Sequence, residues 1–74
     1  MNEKLKDVVA ENIRKYRKKL NISQEELAER AGLHRTYIGG VERGERNITL
    51  DTLQTIAVAL GIAPVELIVE EKDV

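Results

Sequence analysis

The sequence predicts an all-α fold of five short helices, with a helix-turn-helix formed by the second and third. Three observations predict it. Apolar residues recur at steps of three and four along most of the 74 residues, the pattern of one-sided helical burial. Helix-opening residues (Ser23, Thr49, Pro64) and helix-closing glycines (Gly32, Gly61) cut that pattern into short segments. Between Ile22 and Asn47 two such segments follow each other with only a residue or two between them, the spacing of a helix-turn-helix.

In the first helix Val9, Ile13, Tyr16 and Leu20 share one face, and the helix ends near Asn21, a residue that tolerates the left-handed conformation. Its place is behind the motif, as support. The second helix starts at Ser23, whose hydroxyl caps the backbone N–H three residues on while Glu26 reaches back to the Ser23 N–H, a capping box. Leu27, Ala28 and Ala31 give it a narrow apolar face that lets another helix come close. Gly32 closes it, because glycine enters the left-handed conformation of a C-terminal turn without a Cβ clash.

The third helix runs from about His34 to Arg43 and buries Ile38 and Val41. Helical geometry then sets Arg35, Thr36, Gly39, Gly40 and Arg43 on the opposite side. Arg35 and Thr36 stand in the first turn, the part of such a helix that enters the DNA major groove, where an arginine donates two hydrogen bonds to guanine O6 and N7. A solvated surface charge is the plainer role for an exposed arginine; its place in the motif favours base reading. Two glycines in a helix interior cost about 1 kcal/mol each relative to alanine. The missing side chains of Gly39 and Gly40 are read as letting the backbone approach DNA closely, in preference to relief of crowding against a neighbouring helix or simple tolerance of a weak helix. Tyr37 fits two roles, a hydrogen bond to a phosphate and packing of its ring beside the helix.

After Gly44 the segment GERN reads as a turn. Thr49 caps a fourth helix with Asp51 in its first turn, where negative charge is favourable, and Leu53, Ile56, Ala57 and Leu60 face the core as far as Gly61. Pro64 opens a fifth helix, where its missing N–H is not needed, running to about Val69. Leu50, Ile62, Val65, Leu67 and Ile68 supply more apolar surface than a monomer this small requires, although five helices around one core could absorb part of it. Leu50, Ile62, Val65 and Ile68 are therefore expected at a twofold homodimer interface. A polar tail from about residue 70 to 74 is expected to fray. Without repeat, linker or low-complexity segment, residues 1–74 read as a single module.

Twelve Lys and Arg against 13 Asp and Glu leave a formal charge of −1, low for a nucleic-acid binder. The distribution is uneven. Residues 1–20 hold seven basic and three acidic side chains, with Arg14, Lys15, Arg17, Lys18 and Lys19 clustered, and the last nine residues hold four acids and one lysine. That arrangement allows a basic DNA-facing side; the cluster equally complements the C-terminal dipole of the first helix. The absence of cysteine and the single histidine exclude a disulfide framework and a thiolate metal site, so no metal or cofactor is expected. Two tyrosines are too few for a base-stacking platform, which argues against single-stranded nucleic acid. Glu25, Glu26 and Glu29 read as a solvated helix face, and no nucleophile has a His or Cys partner at motif spacing; no catalytic residue is assigned and the chain does not read as an enzyme. No apolar run reaches the length of a membrane helix and MNEKLKDVV lacks the apolar core of a signal peptide, so a cytoplasmic protein with no membrane partner is expected.

SQEELAERAG followed by RTYIGGVERGERN resembles the Xre-type, lambda-repressor-like helix-turn-helix domains, and among them the controller proteins of bacterial restriction–modification systems. The resemblance spans about Val9 to Leu67. It implies a homodimer that binds an inverted-repeat operator in double-stranded DNA and regulates transcription, with RNA polymerase as a further partner. It implies that Arg35 and Thr36, joined by Arg46, read bases, and that Gln24, Tyr37, Arg43 and Asn47 hold or approach the DNA backbone. It also implies a structural salt bridge between Arg17, late in the first helix, and Glu42, late in the third. His34 departs from the small polar residue that commonly opens the recognition helix in this family, which puts the cap at that position in question. Phage-type repressors and antitoxins share the scaffold, so a repressor of that kind, or a protein-interaction module, is the alternative.

Overall fold

A computed structural model describes residues 4–70, which form four α-helices and one 3-10 turn: α1 (Leu5–Lys19), α2 (Gln24–Ala31), α3 (Arg35–Glu42), α4 (Leu50–Leu60) and the turn Pro64–Leu67. Most boundaries have a cause within one helical turn. Ser23 caps α2 by accepting from the Glu26 N–H at 3.0 Å, and Thr49 caps α4 by accepting from the Thr52 N–H at 3.1 Å. The Glu26 carboxylate accepts from Arg30 at 2.9 Å, so an ion pair one turn on replaces the expected return bond to Ser23. Gly32 and Gly61 close α2 and α4 with φ of 69° and 75°, and Asn21 turns the chain after α1 with φ of 61°.

α2 packs on both α3 and α4, while α1 packs on α3 and on the 3-10 turn. The core between them is built from Val9, Ile13, Ile22, Leu27, Ala28, Ile38, Val41, Leu53, Ile56, Ala57, Leu60 and Leu67. Ile13, Leu27, Ile38, Ile56 and Leu67 are fully buried, each worth roughly 1.5–3 kcal/mol of apolar burial. Two residues fall outside their expected places. Leu20 sits at the C-cap, past the last turn of α1, and is exposed; Leu67, grouped in the sequence with surplus apolar surface, belongs to the core.

The fifth helix is the larger departure. Predicted from Pro64 to about Val69, it is a single 3-10 turn ending at Leu67. The β-branched pair Ile68 and Val69 favours helix weakly. In addition, the buried Asn12 of α1 donates from Nδ2 to the carbonyls of Leu67 at 2.8 Å and Val69 at 3.0 Å, drawing the chain out of helical register. The Tyr16 hydroxyl donates to Glu66 Oε1 at 3.0 Å and fastens the same turn. The expected polar tail lies, beyond residue 70, outside the described residues. Among the described residues no helix is long and apolar enough to cross a membrane.

Candidate nucleic-acid interface

One buried carboxylate sets the orientation of α3. Glu42 is 2% exposed and accepts from Arg17 Nε at 2.6 Å, Arg17 Nη2 at 3.0 Å and Gln24 Nε2 at 3.0 Å. Arg17 Nη1 donates onward to the Ile22 carbonyl at 2.9 Å, and Arg14 donates to the main-chain carbonyl of Glu42. The last turn of α3 is thereby tied to α1 and α2 together. A charge removed this far from water persists only when paired and fully hydrogen-bonded, and no buried side-chain nitrogen or oxygen among the described residues lacks a partner. The Arg17–Glu42 pair was implied by resemblance. The parts of Arg14 and Gln24 had no sequence signal, because nothing in their spacing marks them as partners of position 42.

The first turn of α3 is the opposite kind of surface. Arg35, 70% exposed, has Nη1 at 3.8 Å from Glu25 Oε1, a distance too long for a strong hydrogen bond. Thr36 beside it is exposed. His34 occupies the N-cap position without a side-chain cap bond, so the departure seen in the sequence has a structural consequence: the first turn of α3 is not capped by its own side chain.

Gly39 and Gly40 are buried, not bare on the outer face as their helical position predicts. Long polar side chains lie over the positions their side chains would take. A Cβ on Gly39 would lie 3.1 Å from Arg43 Nη1 and 3.5 Å from Gln24 Oε1; one on Gly40 would lie 3.3 Å from both Cγ and Nε of Arg46. The Arg46 guanidinium also sits 5.5 Å from the ring centroid of Tyr37, whose half-buried ring packs on the core. Gln24, Arg35, Thr36, Gly39 and Arg43 thus line one open hollow. Arg46 and Asn47 lie elsewhere, on an apolar groove shared with Leu5, Val9, Ile48, Leu50, Leu53 and Ile68.

Glu45, which the sequence did not single out, grips Arg43: its Oε2 accepts from Nε at 2.9 Å and its Oε1 from Nη2 at 3.2 Å. That hydrogen bonding, aided by the nearby Arg43 and Arg46 charges, holds the Glu45 carboxyl below its usual range, and the same bonds together with the Glu45 charge raise the Arg43 guanidinium. A lowered carboxyl contributes stability above its ordinary range and loses it as pH falls through the lowered value. Both side chains are exposed, so that contribution is small.

Of the residues expected at a twofold interface, Leu50 is 83% exposed, and Val65 and Ile68 are exposed as well. Ile62 is different. It is half-buried against the core of its own chain. Leu5 and Val69, not anticipated, add to the exposed apolar surface, Leu5 in the same groove as Leu50 and Ile68.

The model of the helix-turn-helix family HTH_3 matches residues 13–67. Control protein C.SmaI of Serratia marcescens is 54% identical over 67 residues, which span 90% of this chain and 80% of that protein. The crystal structure of the restriction–modification controller protein C.AhdI from Aeromonas hydrophila aligns with a TM-score of 0.81 at 44% identity, over 84% of this chain and 90% of that one. The controller protein C.Esp1396I, solved as a tetramer in complex with its natural 35 base-pair operator, aligns with a TM-score of 0.81 at 36% identity, over 89% of this chain and 87% of that one. A helix-turn-helix with a buried anchor at one end of α3 and an exposed polar first turn at the other, matched along nearly its whole length by such relatives, places this chain in the helix-turn-helix family of DNA-binding transcription regulators, among the restriction–modification control proteins.

Proposed function

We propose that the chain controls a restriction–modification system as a cytoplasmic homodimer whose paired α3 helices read an inverted-repeat operator, and whose occupancy of that site regulates transcription by RNA polymerase. The observation that carries this reading is the asymmetry of α3. Its last turn is fixed through Glu42, while its first turn offers Arg35 and Thr36 to solvent where a recognition helix meets base edges. Arg46 reaches a further base edge; Gln24, Tyr37, Arg43 and Asn47 serve the backbone, and Gly39 and Gly40 bring α3 close by leaving room for the Arg43 and Arg46 side chains between helix and DNA. The operator-bound tetramer of C.Esp1396I supports a multi-subunit complex on DNA. A formal charge of −1 keeps the non-specific phosphate term modest and leaves more of the affinity to base contacts and to pairing of subunits.

Selection from a randomised duplex library tests the reading. The expected product is an inverted repeat with half-site centres roughly 34 Å apart, about one turn of B-DNA, which fails when half a turn is inserted between the halves. Recovery of no enriched sequence would overturn it, and a chain whose function survives charge reversal at Arg35 would be a protein-interaction module.

Two variants probe the assembly and the glycines. Ile68→Asp is expected to weaken self-association about tenfold or more, because an unpaired charge in a desolvated interface costs over about 1.4 kcal/mol. Sedimentation equilibrium reads the association, and operator affinity falls with it although Arg35 and Thr36 remain; an unchanged dimer places the interface elsewhere. Gly39→Ala meets the far end of an exposed arginine at 3.1 Å and, at ordinary contact distance, Gln24 Oε1 at 3.5 Å. It is expected to gain up to about 1 kcal/mol of helix stability while displacing Arg43 and weakening operator binding. Urea denaturation beside a DNA titration checks both signs, and a loss of stability would mean that the position is crowded by something less mobile.

A further inference from the structure

We propose that Glu45 is a positioning residue for DNA recognition: it grips one edge of the Arg43 guanidinium and so aims the other edge into the hollow formed with Gln24, Arg35 and Thr36. The inference rests on the DNA-binding reading above. Glu45 occupies the Nε and Nη2 side of the fork at 2.9 and 3.2 Å. Nη1, on the far side, lies over Gly39 in the space a Cβ would approach to 3.1 Å, and Arg43 lines the hollow with Gln24, Arg35 and Thr36. A guanidinium presents a planar fork of donors, so the Nη1 edge takes a phosphate oxygen while the carboxylate keeps its own two bonds. A Cβ at position 39 would stand 3.1 Å from Nη1, so the missing side chain gives that placement its clearance.

An arginine on an exposed surface samples many rotamers, and a complex that needs one of them must freeze the rest. The Glu45 grip biases the side chain toward that rotamer beforehand. An acidic side chain near DNA otherwise only repels it, so positioning and repulsion predict opposite results for the same substitution. Glu45→Gln removes the charge and keeps the shape. Positioning predicts that affinity for the selected inverted repeat falls by roughly threefold to tenfold per half-site while affinity for an unrelated duplex rises, so that the ratio between them narrows. Equal tightening on both duplexes would show simple repulsion and overturn the proposal.

Two further measurements close the test. In an Arg43→Gln background, Glu45→Gln is expected to cause no additional loss on the inverted repeat, because the side chain it positions is gone; a persisting loss would overturn the proposal. In the free protein, the Arg43 Nε–H resonance is expected to shift and its relaxation to report greater motion on Glu45→Gln; an unchanged signal would show that the grip does not exist. This last readout needs no DNA, so failure of the grip is distinguishable from failure of the DNA-binding reading, in which the unaltered chain binds no selected duplex.

Discussion

Arg35→Ala is expected to remove most of the sequence preference of this protein, roughly 1–3 kcal/mol at each half-site and so roughly 2–6 kcal/mol for a dimer that uses two. Even the low end is a factor of about 30 in affinity. Arg35 opens α3, is 70% exposed, and its ion pair to Glu25 is 3.8 Å long. Removing the side chain therefore takes away a donor fork that reaches outward and leaves core, caps and the Glu42 network as they are. Helicity and self-association should be unchanged. The measurement is a titration of the selected inverted repeat and of an unrelated duplex at one salt concentration, since the phosphate contribution varies steeply with salt. If both affinities fell by the same factor, Arg35 would be a backbone contact and the reading of bases would rest on Thr36 and Arg46.

Glu42→Ala is expected to cost about 3–5 kcal/mol of folding stability, because it strands the Arg17 guanidinium beside the core and leaves the Gln24 amide without its acceptor. In a domain of this size each kcal/mol lowers the melting temperature by about 4–8 °C, so a fall of roughly 12–40 °C is expected. Thermal denaturation by circular dichroism measures it. Replacing both partners, Arg17→Leu with Glu42→Leu, should recover part of the loss, since neither charge is then buried alone. A Glu42→Ala protein as stable as the parent would show that the network places α3 without holding the fold together. Operator binding would then be the property that fails, through loss of the fixed angle between α3 and its two neighbours.

The first four helices, the Ser23 and Thr49 caps and the helix-turn-helix were readable because each depends on residues within about one turn. Ser23 and Thr49 meet their N–H partners three residues on, and the αL closures at Gly32 and Gly61 follow from the lack of a Cβ. The burial of Leu27 and Ala28, of Ile38 and Val41 and of the apolar face of α4 followed from spacing alone, as did the exposure of Arg35 and Thr36; the burial of Gly39 and Gly40 did not. The ends of the chain were read less well, since apolar periodicity treats Leu20, Leu67 and Ile62 alike and cannot say which of them finds a partner across the core.

What the tertiary structure decided is where polar side chains go when their partners are far away in sequence. Asn12 reaches carbonyls 55 and 57 residues on and turns an expected helix into a single 3-10 turn. Glu42 draws in Gln24 from 18 residues away and Arg17 from 25, so that a residue expected at the DNA backbone also anchors α3. Gly39 and Gly40 were visible as an anomaly; that arginines lie over them, and that Glu45 holds one of these, required the folded chain. Local geometry writes periodicity and caps into the sequence, whereas a hydrogen bond between distant residues leaves no spacing to read. By itself the sequence determined the helix-turn-helix and the exposed first turn of α3 that we propose meets DNA, and only the packed structure decided how the side chains around that turn are held.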